Sequence, residues 1–532
     1  MLSNVSFNEI THFVEKNFDM TAAEAEVIAL RLNDTFNSFD LSAHPTYFAG
    51  ISKELLNTLL QANRRAELIQ LAVDGFLSLV VAADKAAVKL TRTTRARFLQ
   101  MIVTKIKLEK RSLSRGDVVA MAADLAKEYG YDIDATGFVL SFVDSGILHF
   151  VDERVAFSLP FVESYLLAVE LTEAPKKALA YFDLEDDYID LGTFDIYCEI
   201  KPSMDVIERV IQCVERGRDA LAFSGGQKHV LLTDAARPAM LAKTDRLKQI
   251  EERFHKLSDD VRTGRGDVKR KQKMLDMADR LREAASDRSG FAEEDQEEAP
   301  SEDFKKFADG IRYWTTGSQM LGSAAEHLRA ETKERLSGML VEMVSLLAHV
   351  WIEVYTNVDF DALRKDFTSD ENLKPLLNGS EDRADLTETR RQVESMVDLL
   401  EFSILAAPLR RLLHILCERA RLRVLAVSVE KAVVTGEVEK LAHALWLADI
   451  DGNRGHDALM QAMKVLPPSP FLRIVVATHL MTRVYWNQSE TSDRLRFLDA
   501  AEIALGPIVT LRKGEIIRYI EASAPKTEAA KA

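Results

Sequence analysis

The chain has 532 residues, of which 47% are hydrophobic and 29% are charged. This composition is ordinary for folded, water-soluble proteins, and the length is sufficient for several domains with a large buried core. The formal net charge of −15 argues against a general electrostatic affinity for nucleic acids or anionic membranes.

The three cysteines, Cys198, Cys213 and Cys417, lie far apart and form no CxxC pair. This spacing predicts buried thiols in a reducing compartment, with neither a disulfide framework nor a zinc site. No secretory signal is visible at the N-terminus, and the apolar runs are interrupted by charges before they reach the roughly 18 residues of a membrane span. We therefore expect a cytoplasmic protein without membrane contacts.

Residues 1–60 are predicted to form a helical segment. Thr21 and Glu24 have the spacing of a capping box at a helix N-terminus. The pair His44-Pro45 should interrupt the helix, because the residue before a proline avoids the α region. Helical spacing of apolar residues resumes between Glu54 and Ala83. A basic stretch follows, which contains Arg92, Arg95, Arg97, Lys105, Lys107, Lys110, Arg111 and Arg115.

The pattern from Leu113 to Leu171 predicts two helices, a two-stranded hairpin and a third helix. Asp134 is the expected N-cap of the second helix, and Gly146 is the glycine that ends it. Short β-favouring runs flank a polar turn, Asp152-Glu153-Arg154, and Pro160 suits the first turn of the next helix. This order of elements is that of a winged-helix module with a short β-wing.

The winged-helix module is assigned to residues 61–175, and a helical connector follows over 176–255. The acidic run from Asp183 to Glu199 is interpreted as a solvated loop and helix edge. Residues 256–305 contain a basic run and then an acidic run with few apolar residues, which predicts a charged flexible linker.

The remainder of the chain is predicted to be an α-helical arm over residues 306–520 and a disordered tail over 521–532. Amphipathic stripes run through the arm at Leu336, Leu340, Met343 and Leu347, and again at Leu409, Leu412, Leu413 and Leu416. Helices of this kind bury their stripes against one another, in a helical bundle or an α-solenoid. The predicted fold class is mainly α.

Three short motifs are similar to known sites, and each lacks a requirement. Gly317 to Ser323, GSQMLGS, has the glycine spacing of a P-loop without its lysine. Ala222 to Lys228, AFSGGQK, approaches the SGGQ signature of transporter-type ATPases, but no P-loop accompanies it. Asp449 to Asn453 begins like a calcium loop, but the required glycine and glutamate do not follow. No HExxH or GxSxG motif occurs, so the sequence predicts no enzyme, no cofactor and no metal ion.

Three runs together resemble a known family: HPTYFAGI, ANRRAELIQLAVDGFL and GILHFVDERVAFSLPFVESYLLAVEL. They are similar to the segment that follows the ATPase core in STAND-class signalling NTPases of the NACHT type. A later run, GSQMLGSAAEHLRAETKERLSGML, is similar to a helical segment beyond it. The resemblance covers residues 20–200 and, more weakly, 310–355. It implies a lid-like helical segment, a winged-helix domain and a helical arm, in proteins of innate immunity and antiphage defence.

The resemblance also assigns individual residues. Pro45 corresponds to the lid proline near the adenine, which makes it the candidate cofactor-binding residue. PFVESYLLA corresponds to the family ending FRHPSFQEYLAA, but the nucleotide-contacting histidine aligns with Leu159, whose side chain donates no hydrogen bond. No Walker A or Walker B core occurs, and the chain begins about where that core would end. We therefore expect either a separated back half of such a protein or a degenerate relative that kept the helical module for protein contacts.

Two functions follow as hypotheses, with an unrecognised enzyme as the third. The first is a regulatory or scaffolding protein of a STAND-like signalling or defence system, whose partner is a separately encoded ATPase or effector. The alternative is a winged-helix regulator that binds nucleic acid, although the predicted second helix, Ala135 to Gly146, has no basic residue. The candidate contacts for either partner are Arg64, Arg65, Arg92, Arg95, Arg97, Lys105 and Lys107, for which a solvated helix face is the other interpretation.

Overall fold

The computed structural model describes residues 7–18, 90–185, 189–224, 302–356, 360–369, 408–464, 470–486 and 491–505, together with isolated positions at 25, 28, 29, 32, 66, 69, 70, 73, 77, 80, 81, 387, 390, 513, 514, 516 and 517. Over these residues the protein is mainly α-helical, as predicted, and its sheet has two strands. None of the helices described is both long enough and apolar enough to cross a bilayer. The chain divides into two compact units, residues 1–212 with 323–327 and residues 213–322 with 328–532.

The helices and strands of the first unit follow one another in this order: α1 (Phe7–Phe18), α2 (Arg92–Val103), a π-helical turn (Thr104–Leu108), α3 (Arg115–Tyr129), α4 (Ala135–Asp144), β1 (Leu148–Val151), β2 (Arg154–Phe157), α5 (Pro160–Glu173), α6 (Pro175–Tyr181) and α7 (Leu191–Ile200). The division between the units falls inside α8 (Met204–Ser224). The order helix, helix, hairpin, helix over residues 113–171 agrees with the sequence pattern.

Local signals define the ends of these elements. Ser114 and Asp117 form a reciprocal capping box at the start of α3. Asp134 caps α4 through a 3.0 Å hydrogen bond that its Oδ1 accepts from the Thr136 amide, as predicted. Gly146, at φ 73°, follows the last turn of α4 in the left-handed conformation that glycine adopts most readily. Pro160 lies in the first turn of α5, also as predicted.

The hairpin is tighter than the sequence indicated. Strands β1 and β2 pair antiparallel with Val151 opposite Arg154, so the turn consists of Asp152 and Glu153 alone. The prediction of a three-residue turn was therefore wrong by one residue, because Arg154 belongs to β2. Both turn residues have positive φ, 49° and 64°, as a type I′ turn requires. The amide of Val155 donates to the carbonyl oxygen of Leu113 at 2.9 Å, which attaches the segment before α3 to the hairpin.

Helix α7 corrects the interpretation of the acidic run. Its residues Thr193 to Glu199 are all buried, and Asp195 and Glu199 are each only 8% exposed. Asp195 accepts a short hydrogen bond from the Ser323 hydroxyl, and Glu199 accepts one of 2.5 Å from the Ala66 amide. These two carboxylates are therefore part of the interior, where donors compensate for their lost hydration.

The second unit contains only helices in its described part. They are α9 (Glu302–Ser323), α10 (Ala330–Thr356), α11 (Phe360–Phe367), α12 (described over 408–419), a 3₁₀ turn (Arg423–Leu425), α13 (Ala426–Lys431), α14 (Glu437–Ile450), α15 (Gly452–Lys464), α16 (Pro470–Trp486) and α17 (Thr491–Leu505). Helix α14 packs against α15, and α16 packs against α17. Both leucine-rich stripes are buried as predicted, and those on α10 are at most 1% exposed.

Several predictions lie outside the described residues. These are the Thr21 capping box, the His44-Pro45 break, the GGQK part of AFSGGQK, the tail and most of the linker. The linker was predicted to end at residue 305, but α9 begins at Glu302.

Candidate functional site

Arg95, one of the predicted contact residues, lies in the core rather than on the surface. Its side chain is 0% exposed, and its Nη1 donates to the Ser141 hydroxyl at 2.8 Å. Its guanidinium carbon lies 5.1 Å from the ring centroid of Phe138 and 5.6 Å from that of Phe142. Arg95 therefore joins α2 to α4 through a hydrogen bond and two cation–π contacts, and it is not available to a partner.

The other predicted basic residues of α2 and the π-helical turn lie at the surface. Arg97 lies over the ring of Tyr129 at 4.8 Å. Lys105 pairs with Glu109 at 3.5 Å, and Lys107 pairs with Glu163 at 3.0 Å. Arg92 is exposed in the first turn of α2. Arg64, Arg65 and Pro45 lie outside the described residues. Leu159, the residue aligned with the family histidine, is buried at the start of α5.

An open groove of about 510 Å³ lies beside the turn end of the hairpin. Four basic residues line it, Lys107, Lys110, Arg111 and Arg154, together with Ser112 and Leu113 among others. We call it the basic groove. Lys107, Lys110 and Arg111 belong to the basic stretch seen in the sequence, and Lys107 was one of the candidate contact residues. Arg154 was not expected here, because it comes from a strand far along the chain from that stretch.

Two of the four basic residues in the groove have no ion-pair partner among the described residues. Arg111 pairs with Glu109 at 3.5 Å, and Lys107 with Glu163. Within the described part of the chain, neither Lys110 nor Arg154 has a carboxylate within ion-pair distance. Lys110 also has φ 51°, in the left-handed region that favours glycine, because the π-helical turn ends there. The groove thus holds a lysine at a position where glycine would be less strained.

A second cluster lies in the interior of the second unit, where α12, α14 and α16 meet. Cys417, Asp449 and His479 place their donor atoms within 4.8 Å of one another. The Nε2 of His479 is 3.3 Å from the Asp449 Oδ2 and 4.0 Å from the Cys417 Sγ. Arg483, one turn after His479, donates from Nε to the same Asp449 oxygen at 2.7 Å and from Nη1 to Glu418. We call these residues the buried polar cluster.

The charges of the cluster are set by burial and by the arginine. Burial alone would raise the pKa of Asp449, but the charge of Arg483 and the hydrogen bond from His479 outweigh it and lower the pKa to about 2. Burial raises the pKa of the Cys417 thiol well above its usual value, and the charge of Asp449 adds to the effect. The cluster on its own therefore contains an ionised aspartate, an arginine cation and a protonated thiol.

This geometry does not match a cysteine-based catalytic triad. A triad uses one imidazole nitrogen for the nucleophile and the other for the carboxylate, whereas His479 faces both Cys417 and Asp449 with Nε2. The thiol is also completely buried, and its raised pKa disfavours the thiolate that would act as nucleophile. The donor set is instead a thiol, an imidazole and a carboxylate, which are the side chains that ligate zinc in proteins.

The sequence contained only indirect signals of this cluster. Cys417 was predicted to be a buried thiol, and it is buried. His479 and Arg483 are spaced i, i+4 in the mostly apolar run IVVATHLMTRV, which places two ionisable side chains on one face of a buried helix. Sixty-two residues separate Cys417 from His479, so no local spacing could have joined them.

The weak motifs have structural explanations. GSQMLGS forms the C-terminal part of helix α9. A Cβ atom at Gly322 would collide with the carbonyl oxygen of Arg419. Its glycines therefore permit close helix packing, and the run is not a phosphate-binding loop. Asp451 accepts hydrogen bonds from the amides of Asn453 and Arg454, at 3.1 and 3.2 Å, and so caps α15 rather than holding calcium.

No protein-family model, curated protein or solved structure matches this chain.

Proposed function

We propose that this protein is a regulatory or scaffolding protein of a STAND-like signalling or defence system, and that it acts through contacts with other proteins. Residues 61–175 would contain its winged-helix module, with the helix, helix, hairpin, helix order over residues 113–171, and residues 306–520 would be its helical arm. The observation that carries the proposal is the basic groove, in which basic residues of the segment before α3 meet Arg154 of the hairpin, and which suits an acidic segment of a partner protein.

The charge distribution favours a protein over a nucleic acid as the occupant. Residues 112–159 contain eight acidic and three basic side chains. Helix α4 stands where a winged helix would place its recognition helix, yet its Phe138, Val139 and Phe142 are buried and it has no lysine or arginine. A long polyanion that extended from the groove over residues 112–159 would meet repulsion from these acidic side chains, because phosphate contacts depend on an extended set of basic side chains.

The groove has features that suit a short acidic peptide. Its volume of about 510 Å³ accommodates a few residues. Lys110 and Arg154 provide two cations for carboxylates, and Ile106 and Leu113 provide apolar contacts. Val151, which is opposite Arg154 in the hairpin, is 53% exposed and adds apolar surface beside that arginine. Mixed basic and apolar surfaces of this kind are typical of contacts with acidic protein segments.

Site-directed cross-linking tests the proposal. A photoreactive amino acid replaces Ser112 in the groove, or Lys127 on the exposed face of α3 as the control position, in the full chain in its host cells. We expect a protein cross-link at position 112 that is absent at position 127, and identification of the partner by mass spectrometry.

A charge-reversal pair then links the partner to the groove. The double variant Lys110→Glu/Arg154→Glu should abolish the cross-link, whereas Lys127→Glu/Lys176→Glu changes the net charge equally and should retain it. Equal cross-linking at positions 112 and 127, or a cross-link insensitive to the groove variant, contradicts the proposal.

The alternative, nucleic-acid binding, is tested by filter binding over a range of salt concentrations with single- and double-stranded DNA and RNA. Tight binding that weakens steeply with salt would establish the nucleic-acid function instead.

A further inference from the structure

The three donors of the buried polar cluster have the spacing of a metal site. A zinc ion with bonds of about 2.0–2.3 Å in tetrahedral geometry holds its ligand atoms about 3.3–3.6 Å apart. In the cluster, the Nε2 of His479 is 3.3 Å from Asp449 Oδ2 and 4.0 Å from Cys417 Sγ. All three donor atoms lie within 4.8 Å of one another, so shifts of about 1 Å or less would bring them onto one ion.

We propose that Cys417, Asp449 and His479 bind one zinc ion in the second unit. The spacing of their donor atoms, the net charge of the cluster and the hydrogen bond from Arg483 support this site. Thiolate and imidazole ligands favour zinc over magnesium or calcium, which prefer oxygen. Three protein ligands leave one tetrahedral position for a further ligand. This site is independent of the basic groove and of the proposed partner.

The charge balance of the cluster is compatible with a divalent cation. Arg483 carries one positive charge and bonds to two carboxylates, Asp449 and Glu418, so the network has one excess negative charge. When zinc binds, the Cys417 thiol loses its proton to solvent and the sulfur forms the metal bond. The added thiolate and the excess carboxylate then neutralise the ion.

Arg483 has a defined role in the proposed site. A carboxylate oxygen has two lone pairs, so Asp449 can keep its 2.7 Å bond from Arg483 while it ligates the metal. Charged hydrogen bonds from outside orient the ligands of metal sites. The side chains of Arg483, Asp449 and His479 are 1%, 2% and 3% exposed, so water competes little for these positions.

Metal analysis of the full chain, expressed without a polyhistidine tag and purified without chelator, tests the site. We expect about one zinc per chain by elemental analysis, because the protein offers one such cluster in its described part. After unfolding with chelator and refolding with Co²⁺, a sulfur-to-cobalt charge-transfer absorption band should appear. This band identifies a thiolate ligand and does not depend on any variant being folded.

Matched cysteine variants assign the band. Cys417→Ser should abolish it and weaken zinc binding at least about 100-fold, because loss of even an outer-shell group typically costs about 10- to 100-fold. Cys213→Ser removes another buried thiol of the same unit and should leave the band and the zinc content unchanged. A wild-type chain that is metal-free and gives no cobalt band overturns the proposal, as does a band that persists in Cys417→Ser. In either case, the cluster is a network of hydrogen bonds around Asp449.

Discussion

The Nε of Arg483 lies 2.7 Å from the Oδ2 of Asp449, and both side chains are almost completely buried, at 1% and 2% exposure. Such a pair fixes α14 to α16 by a charged hydrogen bond. Removal of one partner would leave the other charge in the interior without compensation.

We therefore expect Arg483→Met to lower the free energy of unfolding of the second unit by about 3–5 kcal/mol. Arg454→Met is the matched control, because Arg454 pairs with Glu430 at the surface and should contribute less than about 1 kcal/mol. All four tryptophans, Trp314, Trp351, Trp446 and Trp486, belong to this unit, so denaturant unfolding followed by tryptophan fluorescence reports on it. Equal effects of the two variants would contradict the buried ion pair.

In the metal-free protein, the same pair predicts that the free energy of unfolding depends on pH. The pKa of Asp449 is lowered from 3.8 to about 2 in the folded protein. A lowered carboxyl pKa stabilises the fold above the unfolded value, and this contribution is lost as the pH falls through the folded value. The contribution is about 2 kcal/mol, present above about pH 5 and lost towards about pH 2. The measurement is the difference in unfolding free energy between the wild type and Asp449→Asn, which should shrink over this interval. A difference that stays constant would show that Asp449 titrates normally.

Arg95 should act as a structural residue of the first unit. Arg95→Ala removes a charged hydrogen bond and two cation–π contacts, which together stabilise the fold by about 2–4 kcal/mol. Arg97→Ala removes one exposed cation–π contact and should cost less than about 1 kcal/mol. Hydrogen exchange followed by mass spectrometry should show faster exchange in α2 and α4 for the first variant and little change for the second. If Arg95→Ala abolished the partner cross-link but left hydrogen exchange unchanged, Arg95 would instead be a contact residue.

The hairpin turn stores backbone strain at Glu153, whose φ is 64°. Glu153→Gly should stabilise the hairpin by about 0.5–1 kcal/mol, because the relief of left-handed strain exceeds the extra entropy that glycine loses on folding. Glu153→Ala keeps the strain and should give no gain. Amide exchange of residues 148–157 is the measurement, and no difference between the glycine and alanine variants would mean that the turn is not strained.

The elements whose signals are local were predictable. Asp134, Gly146 and Pro160 act on the backbone within a few residues of themselves, so their roles as caps and first-turn residue follow from the sequence. The apolar stripe from Leu336 to Leu347 is buried, and its helical period alone identifies the buried face of α10. The mainly α-helical architecture follows from these two kinds of signal.

The tertiary structure alone decided which polar residues are interior. In the sequence, Arg95 is one of a row of basic residues and Asp195 one of a row of acids, yet both are buried because their helices are covered on that face. Arg154 joins the basic groove only through strand pairing. Cys417, Asp449 and His479 meet only because three helices pack together. Residues so far apart in the sequence are brought into contact by helix packing and not by local spacing.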